Sequence, residues 1–299
     1  LYLGKVEFGW PTPVVINKKY VFDKDFFWVP KNYYLNIKAA KYNNPSIVFM
    51  GDSCTELGAY HKYLADLMYE RTSIKEVLYL NCGITGWSSY QGLQQLKKNI
   101  LDLKPKIVTI YYGWNDHWIG FGLSDKNVAL LNASFISKFQ KFRCIQLMIK
   151  TWVLVWRKIH KIEKIPQRVS PGDYRKNLRE MVILTKAQGI IPILLTAPSS
   201  LEKGKEPKHL TQRWIKSLTE LIPLHRKYNS IVRDVAVSEE AILCDLDKGF
   251  NALSKEELRD KYFIIDGIHL TKEGNKKIAE FLYDCFEKNA LLKYIGTPK

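Results

Sequence analysis

The feature that most constrains this chain is a repeated alternation of short, continuously apolar segments with longer stretches of helical period. "SIVFMG" (46–51), "EVLYLN" (76–81), "KIVTIYYG" (106–113), "IIPILLTAP" (190–198) and "AILCDL" (241–246) each read as a strand. Between and after them come "TELGAYHKYLADLMYE", "YQGLQQLKKNILDL", "DYRKNLREMVILTKAQG", "HLTQRWIKSLTELIPLHRKYN" and the amphipathic "TKEGNKKIAEFLYDCFEKN", all helix-like. A strand that is apolar at nearly every position is covered on both faces. The alternation therefore predicts an α/β fold, with five parallel strands between layers of helices. Gly189 stands where the third of these helices needs its C-cap.

Two regions stand outside the alternation. Residues 1–45 are rich in aromatics and prolines and show no helical period. They read as an N-terminal extension packed on the main domain, 46–299, with a short hairpin in "VVINKKYVF" around Asn17-Lys18. The second region is a helical insertion after the third strand, at about 120–170. There Phe135, Phe139, Phe142, Ile145, Ile149, Trp152, Trp156 and Ile159 recur at three- and four-residue spacing, one stripe of a long helix or helix pair. Between Ser134 and Arg168 nine lysines and arginines face one acid, Glu163. A cap helix laying its stripe on the core would leave that basic face in solvent. A lid or membrane-surface element would instead use the same basic and aromatic residues on anionic lipid.

Composition narrows the partners without choosing one. The hydrophobic share of 46% in 299 residues is ample for a sizeable core, which excludes a disordered chain. Lysine and arginine outnumber acids 46 to 30, a formal charge of +16, so an anionic environment is expected: lipid headgroups, an acidic polymer or nucleic acid. No nucleic-acid-binding motif is present, and no nucleic-acid partner is expected. The five scattered cysteines, without CxxC pairs, read as free thiols rather than a disulfide framework or metal site. No apolar run approaches the roughly eighteen residues of a membrane span. The chain opens at Leu1. With the basic balance, that start suggests an extracytoplasmic, membrane-associated enzyme whose N-terminal anchor was removed.

Polar clusters share one address. Chemistry in an open parallel sheet gathers at the carboxyl ends of its strands. The first strand ends in Gly51-Asp52-Ser53, the second in "NCGITG", the third in "GWND"; "DGIH" follows the fifth strand after a loop. Ser53 is either a helix cap or a nucleophile presented at a strand end. A serine hydroxyl needs a base within hydrogen-bond reach to attack an acyl carbon. Asp266-Gly267-Ile268-His269 offers one, because a tight turn lets the aspartate fold back on the imidazole and fix its tautomer. His269 alone reads equally well as a capping or surface residue. The tetrahedral intermediate also needs donors. The Ser53 N–H, the Gly86 N–H and the Asn115 side-chain amide are the candidates.

Taken together, "GDS" at Gly51–Ser53, "NCGITG" ending at Gly86, "GWND" at Gly113–Asp116 and "DGIH" at Asp266–His269 resemble the SGNH hydrolase branch of the GDSL-type esterase and lipase family. The resemblance runs from about Ser46 to Lys288. It implies a flavodoxin-like α/β/α sandwich, with Ser53 as nucleophile, His269 as base and Asp266 as its orienter. It further implies Gly86 and Asn115 as oxyanion-hole partners of the Ser53 N–H. Cys54 stands where the family has a leucine, and the insertion is larger than in minimal members.

Other residues divide between structure and substrate. Asp52 reads as a turn or cap residue. Asp116 and His117 could make a metal site with Asp52, but no second histidine stands at ligand spacing, so no metal or organic cofactor is expected. Ser170 reads as an N-cap before Pro171, and His225 as a packing or surface residue. Arg168 and Arg175 are candidates for contact with an anionic substrate. Trp87 and Trp114 are candidates for the pocket wall, with sugar stacking and acyl packing both open to them. The expected function is a serine esterase acting on an acyl ester, with O-acetyl esters of a carbohydrate or cell-surface polymer foremost. A lipid esterase or lysophospholipase at an anionic membrane surface competes with it, as does an acyltransferase using the same triad. The non-enzymatic rival is a basic module that binds anionic polymer.

Overall fold

A computed structural model describes residues 19–295, apart from 73, 121–122, 134–147, 149–150, 153–154, 156–157, 160–165 and 213. All five expected strands form: β3 (Ile47–Gly51), β4 (Tyr79–Asn81), β5 (Ile107–Tyr111), β6 (Ile191–Leu195) and β7 (Ile242–Cys244). They make one parallel sheet in the order β4-β3-β5-β6-β7. Every residue of β3 and β5 is buried, as unbroken apolar runs require of central strands. Chain order reverses between β3 and β5, so the crevice at their carboxyl ends is the topological switch point. Ser53 follows β3 and Asn115 follows β5, which sets both at that point.

Helices cover both faces. α3 (Tyr60–Arg71) and α9 (Lys272–Lys288) share one layer with α8 (Leu246–Asn251), around a core containing Phe49, Leu64, Tyr111, Leu195 and Leu282. α4 (Ser89–Gln95), α6 (Pro171–Ala187) and α7 (Leu221–Ser238) cover the other face, around Val48, Ile110, Leu178, Leu194 and Val232. The expected helix after β3 is two pieces: α2 (Ser53–Glu56), then α3 after a break at Leu57–Ala59. The fourth expected helix also starts late. Lys208–Gln212 and Leu218–Glu220 form 3-10 turns, and α7 begins only at Leu221, which leaves Pro223 in a first turn that does not need its N–H. Gly189 has φ +70° and follows the Gln188 C-cap of α6.

The N-terminal region is more ordered than its sequence suggests. β1 (Tyr20–Asp23) and β2 (Phe27–Pro30) pair antiparallel, and α1 (Tyr33–Asn43) follows, a helix that showed no period in sequence. Only Tyr33 and Ala40 of α1 are buried, too narrow a stripe to register as a pattern. The hairpin's Tyr20, Phe26, Trp28 and Val29 join the core on the α4 side of the sheet. The turn expected at Asn17-Lys18 lies outside the described residues.

In the insertion, α5 (Asp125–Ala133) is described, and Met148, Thr151, Trp152, Val155, Lys158 and Ile159 are helical. Met148, Trp152, Val155 and Ile159 are half or more exposed. Trp152 and Ile159 therefore do not lie on the core, contrary to the cap-helix expectation. Phe135, Phe139, Phe142, Ile145, Ile149 and Trp156 lie outside the described residues.

Candidate active site

β3 ends at Gly51 because nothing larger fits. A Cβ there would stand 2.9 Å from the Tyr111 carbonyl oxygen and closer still to Thr55 Oγ1. The chain then turns, Asp52 caps α2 by accepting the Cys54 N–H at 2.9 Å, and Ser53 becomes the first helical residue. The second Asp52 oxygen accepts from the Asn115 amide at 3.1 Å. One carboxylate thus ties the end of β3 to the end of β5. Burial pushes its pKa up to about 6, against the pull of the Cys54 hydrogen bond, the charge of His269 and the Asn115 amide. Cys54 is buried, an inward-packing residue despite its departure from leucine.

The second half of the site is a tight loop before α9. Phe263 and Leu270 bridge antiparallel, and the Ile264 N–H bonds to the His269 carbonyl at 2.9 Å. Within the loop one Asp266 oxygen accepts the N–H groups of Ile268 and His269, at 2.8 and 2.9 Å. The other accepts from His269 Nδ1 at 2.6 Å. An ionised acceptor there assigns the ring proton to Nδ1 and leaves a lone pair on Nε2. That lone pair faces Ser53 Oγ at 2.8 Å.

Electrostatics favour an imidazole that readily takes a proton. Burial raises the Asp266 pKa, but hydrogen bonds from the His269 ring and from the two backbone N–H groups outweigh it and hold the carboxyl below its ordinary value. Burial lowers His269, but the Asp266 hydrogen bond and the charges of Asp266 and Asp52 outweigh that and raise it above 6.5.

Three donor candidates belong to adjacent strand ends. The loop after β4 is held beside β3 by the Cys82 and Ile84 N–H groups, which bond to the carbonyls of Phe49 and Gly51 at 2.8 and 3.1 Å. Gly86 in that loop has φ +80°, a conformation that L side chains rarely adopt. Asn115 is held by Asp52, and the Ser53 N–H is at the open N-terminus of α2.

Four sequence candidates for substrate contact are elsewhere. Trp87 is fully buried, donates to the Trp28 carbonyl at 3.0 Å and stacks on Phe26. Trp114 is buried too, stacked on His225 with ring centroids 3.9 Å apart. Both are core aromatics, not pocket walls. Arg168 is 5% exposed and engaged with Asp125, Gly86 and Gln91, so no anionic substrate reaches it. Arg175 is half-buried and pairs with Asp234 at 2.7 Å, between α6 and α7.

Asp116 and His117 also turn away from Asp52. Asp116 accepts the Ser89 N–H and hydroxyl, and Asn177 donates to the same hydroxyl. Burial pushes Asp116 up to about 7, against those Ser89 bonds. His225 donates its Nε2 proton to the Ala197 carbonyl at 2.8 Å, and its Nδ1 faces His117 Nε2 at 3.4 Å. Burial lowers the pKa of both histidines. Among the described residues no three His, Cys, Asp or Glu side chains are grouped to hold a metal ion. The Ser88, Gln91, Asp125 and Arg168 cluster had no sequence signal, because its members come from three separate loops and helices.

Comparison with known proteins bears on the family and the fold. The model of the GDSL-like lipase/acylhydrolase family matches residues 49–277. An uncharacterized lipoprotein of Bacillus subtilis (strain 168), YqeF, is 24% identical over 226 residues, 69% of this chain and 72% of that protein. A GDSL-like lipase of Bacteroides thetaiotaomicron superposes with a TM-score of 0.54 at 17% identity, covering 89% of this chain and 98% of that one. The acetyl xylan esterase AlAXEase superposes with a TM-score of 0.51 at 18% identity, covering 80% and 98%. At such identities these two structures speak to the fold.

Proposed function

Because the chain belongs to the GDSL-like lipase/acylhydrolase family, we propose that it cleaves O-acetyl esters of a carbohydrate or cell-surface polymer through an acyl-Ser53 intermediate. The observation that carries the reading is the relay Ser53 Oγ–His269 Nε2 at 2.8 Å and His269 Nδ1–Asp266 at 2.6 Å. Ser53 Oγ attacks the ester carbonyl carbon while His269 Nε2 takes its proton. Asp266 stabilises the imidazolium. The carbonyl oxygen, now an oxyanion, accepts hydrogen bonds from the Ser53 and Gly86 N–H groups and the Asn115 amide. The carbon–oxygen bond to the alcohol breaks as His269 returns the proton to the leaving oxygen. Water then attacks the acyl-enzyme, with His269 again as base, and releases the acid and free Ser53.

The exposure of His269 supports a substrate whose alcohol part is large. About a third of the His269 side chain is exposed. The test compares wild type with Ser53→Ala on p-nitrophenyl esters of two to sixteen carbons, and on acetylated xylan for acetate release. Ser53-dependent turnover confined to short chains is expected. Equal activity of the two proteins at every length would remove the serine-hydrolase reading.

A second reading, an esterase of lipids at an anionic membrane surface, is favoured by the exposed Met148, Trp152, Val155 and Ile159. Their spacing places them on one helical face, within a segment carrying nine basic residues and one acid. A preference for long acyl chains, increased by anionic vesicles, would select it.

A further inference from the structure

Arg168 is buried in a polar cluster that reaches the oxyanion loop. Its Nε and Nη2 donate to the two oxygens of Asp125 at 3.1 and 2.8 Å. Nη2 also reaches Gln91 Oε1 at 3.3 Å, and Nη1 donates to the Gly86 carbonyl at 2.6 Å. Gln91 Oε1 accepts the Ser88 N–H at 2.8 Å, so the residues that follow Gly86 are tied to the same cluster. The guanidinium also lies over the Trp28 ring, 5.9 Å from its centroid. Burying an arginine is costly unless its donors are satisfied, and here each end of the fork has an acceptor.

We propose that Arg168 is a positioning residue: by fixing the Gly86 carbonyl it holds the far side of the residue whose N–H, in the preceding Thr85–Gly86 peptide, faces the oxyanion. The inference rests on the acyl-serine reading above. Gly86 has φ +80°, and the two peptides that meet at its Cα are pinned separately: Trp28 Nε1 donates to the Thr85 carbonyl at 3.1 Å, and Arg168 holds the Gly86 carbonyl. A planar fork can hold Asp125 and the Gly86 carbonyl at once; a lysine ammonium on its flexible stem cannot reproduce that geometry. Asp125 and Arg168 stand at the two ends of the insertion, joined also by the Asp125 N–H to the Arg168 carbonyl at 2.7 Å. The neck of the insertion and the Gly86 carbonyl are therefore one hydrogen-bonded unit.

The experiment compares wild type, Ser53→Ala, Arg168→Lys and the charge-balanced double variant Arg168→Gln/Asp125→Asn. It measures p-nitrophenyl acetate turnover, the inhibition constant of benzeneboronic acid, whose serine adduct is tetrahedral, and thermal unfolding. In Arg168→Lys kcat should fall about 10- to 100-fold, less than or equal to the loss of a whole oxyanion donor. KM should stay within about threefold, and the boronate constant should rise by the same factor as kcat falls. The double variant decides the matter if Arg168→Lys does not fold. Wild-type kcat and boronate affinity in a folded variant would reduce Arg168 to a stabilising residue and overturn the proposal. If Ser53→Ala itself retains turnover, the acyl-serine reading fails first, and the positioning role with it.

Discussion

His269 Nε2 lies 2.8 Å from Ser53 Oγ although 216 residues separate them in the chain. The pair forms because β3 and the loop before α9 end at the same edge, and Asp266 leaves the imidazole one orientation. Proton transfer across that contact needs no rearrangement.

Residues that act as one relay lose their effect together. Ser53→Ala and His269→Ala should each lower kcat for p-nitrophenyl acetate by about 10⁴-fold or more, and the double variant should be no worse than either. Additive losses, measured by steady-state kinetics on all three, would mean that the two residues act separately.

The base must be neutral, and its pKa stands above 6.5. The kcat/KM profile should therefore rise with pH through one ionisation above 6.5 and then level. In Asp266→Asn the largest raising influences are gone, the Asp52 charge remains and burial still lowers His269, so that ionisation should move to lower pH, along with a large loss of rate. The stability contribution of the raised His269 is full below pH 6.5 and is lost as pH rises through its folded value. That of the depressed Asp266 is present above about 3.8 and lost as pH falls through its folded value. Thermal melts from pH 3 to pH 9 check both signs.

Asp52 accepts two donors, Cys54 N–H and the Asn115 amide. An asparagine can keep the cap but sets an amide against an amide at Asn115. Asp52→Asn should fold and melt within a few degrees of wild type, while kcat falls about tenfold or more with KM little changed. Unchanged kcat would mean that Asn115 does not depend on Asp52.

Met148, Val155 and Ile159 are exposed, so changing them to serine should leave the melting temperature within about 2 °C of wild type. If the lipid reading holds, the triple variant should lose co-sedimentation with phosphatidylglycerol vesicles. A large loss of stability would show instead that these side chains are packed.

The strand-end address was legible in sequence because it is local. An apolar run stopping at Gly51-Asp52-Ser53, a "GWND" and a "DGIH" each require only a strand and the turn after it. The alternation likewise specified five parallel strands, since burial on both faces is written into the runs of the central β3 and β5. β4 is shorter than "EVLYLN" because an edge strand pairs on one side only, here Tyr79–Asn81 with β3. Side-chain direction in loops was not legible, because it depends on what packs there from far along the chain. Trp87 is turned inward by the hairpin's Phe26 and Trp28, some sixty residues earlier. Arg168 is held inward by Asp125 across the insertion, and Trp114 stacks on His225 from α7. The sequence alone determined which residue types stand at the sheet's carboxyl edge. Tertiary packing decided which of them turn into the core and which form the Ser53–His269–Asp266 relay, because hydrogen-bond partners and burial are set by neighbours in space.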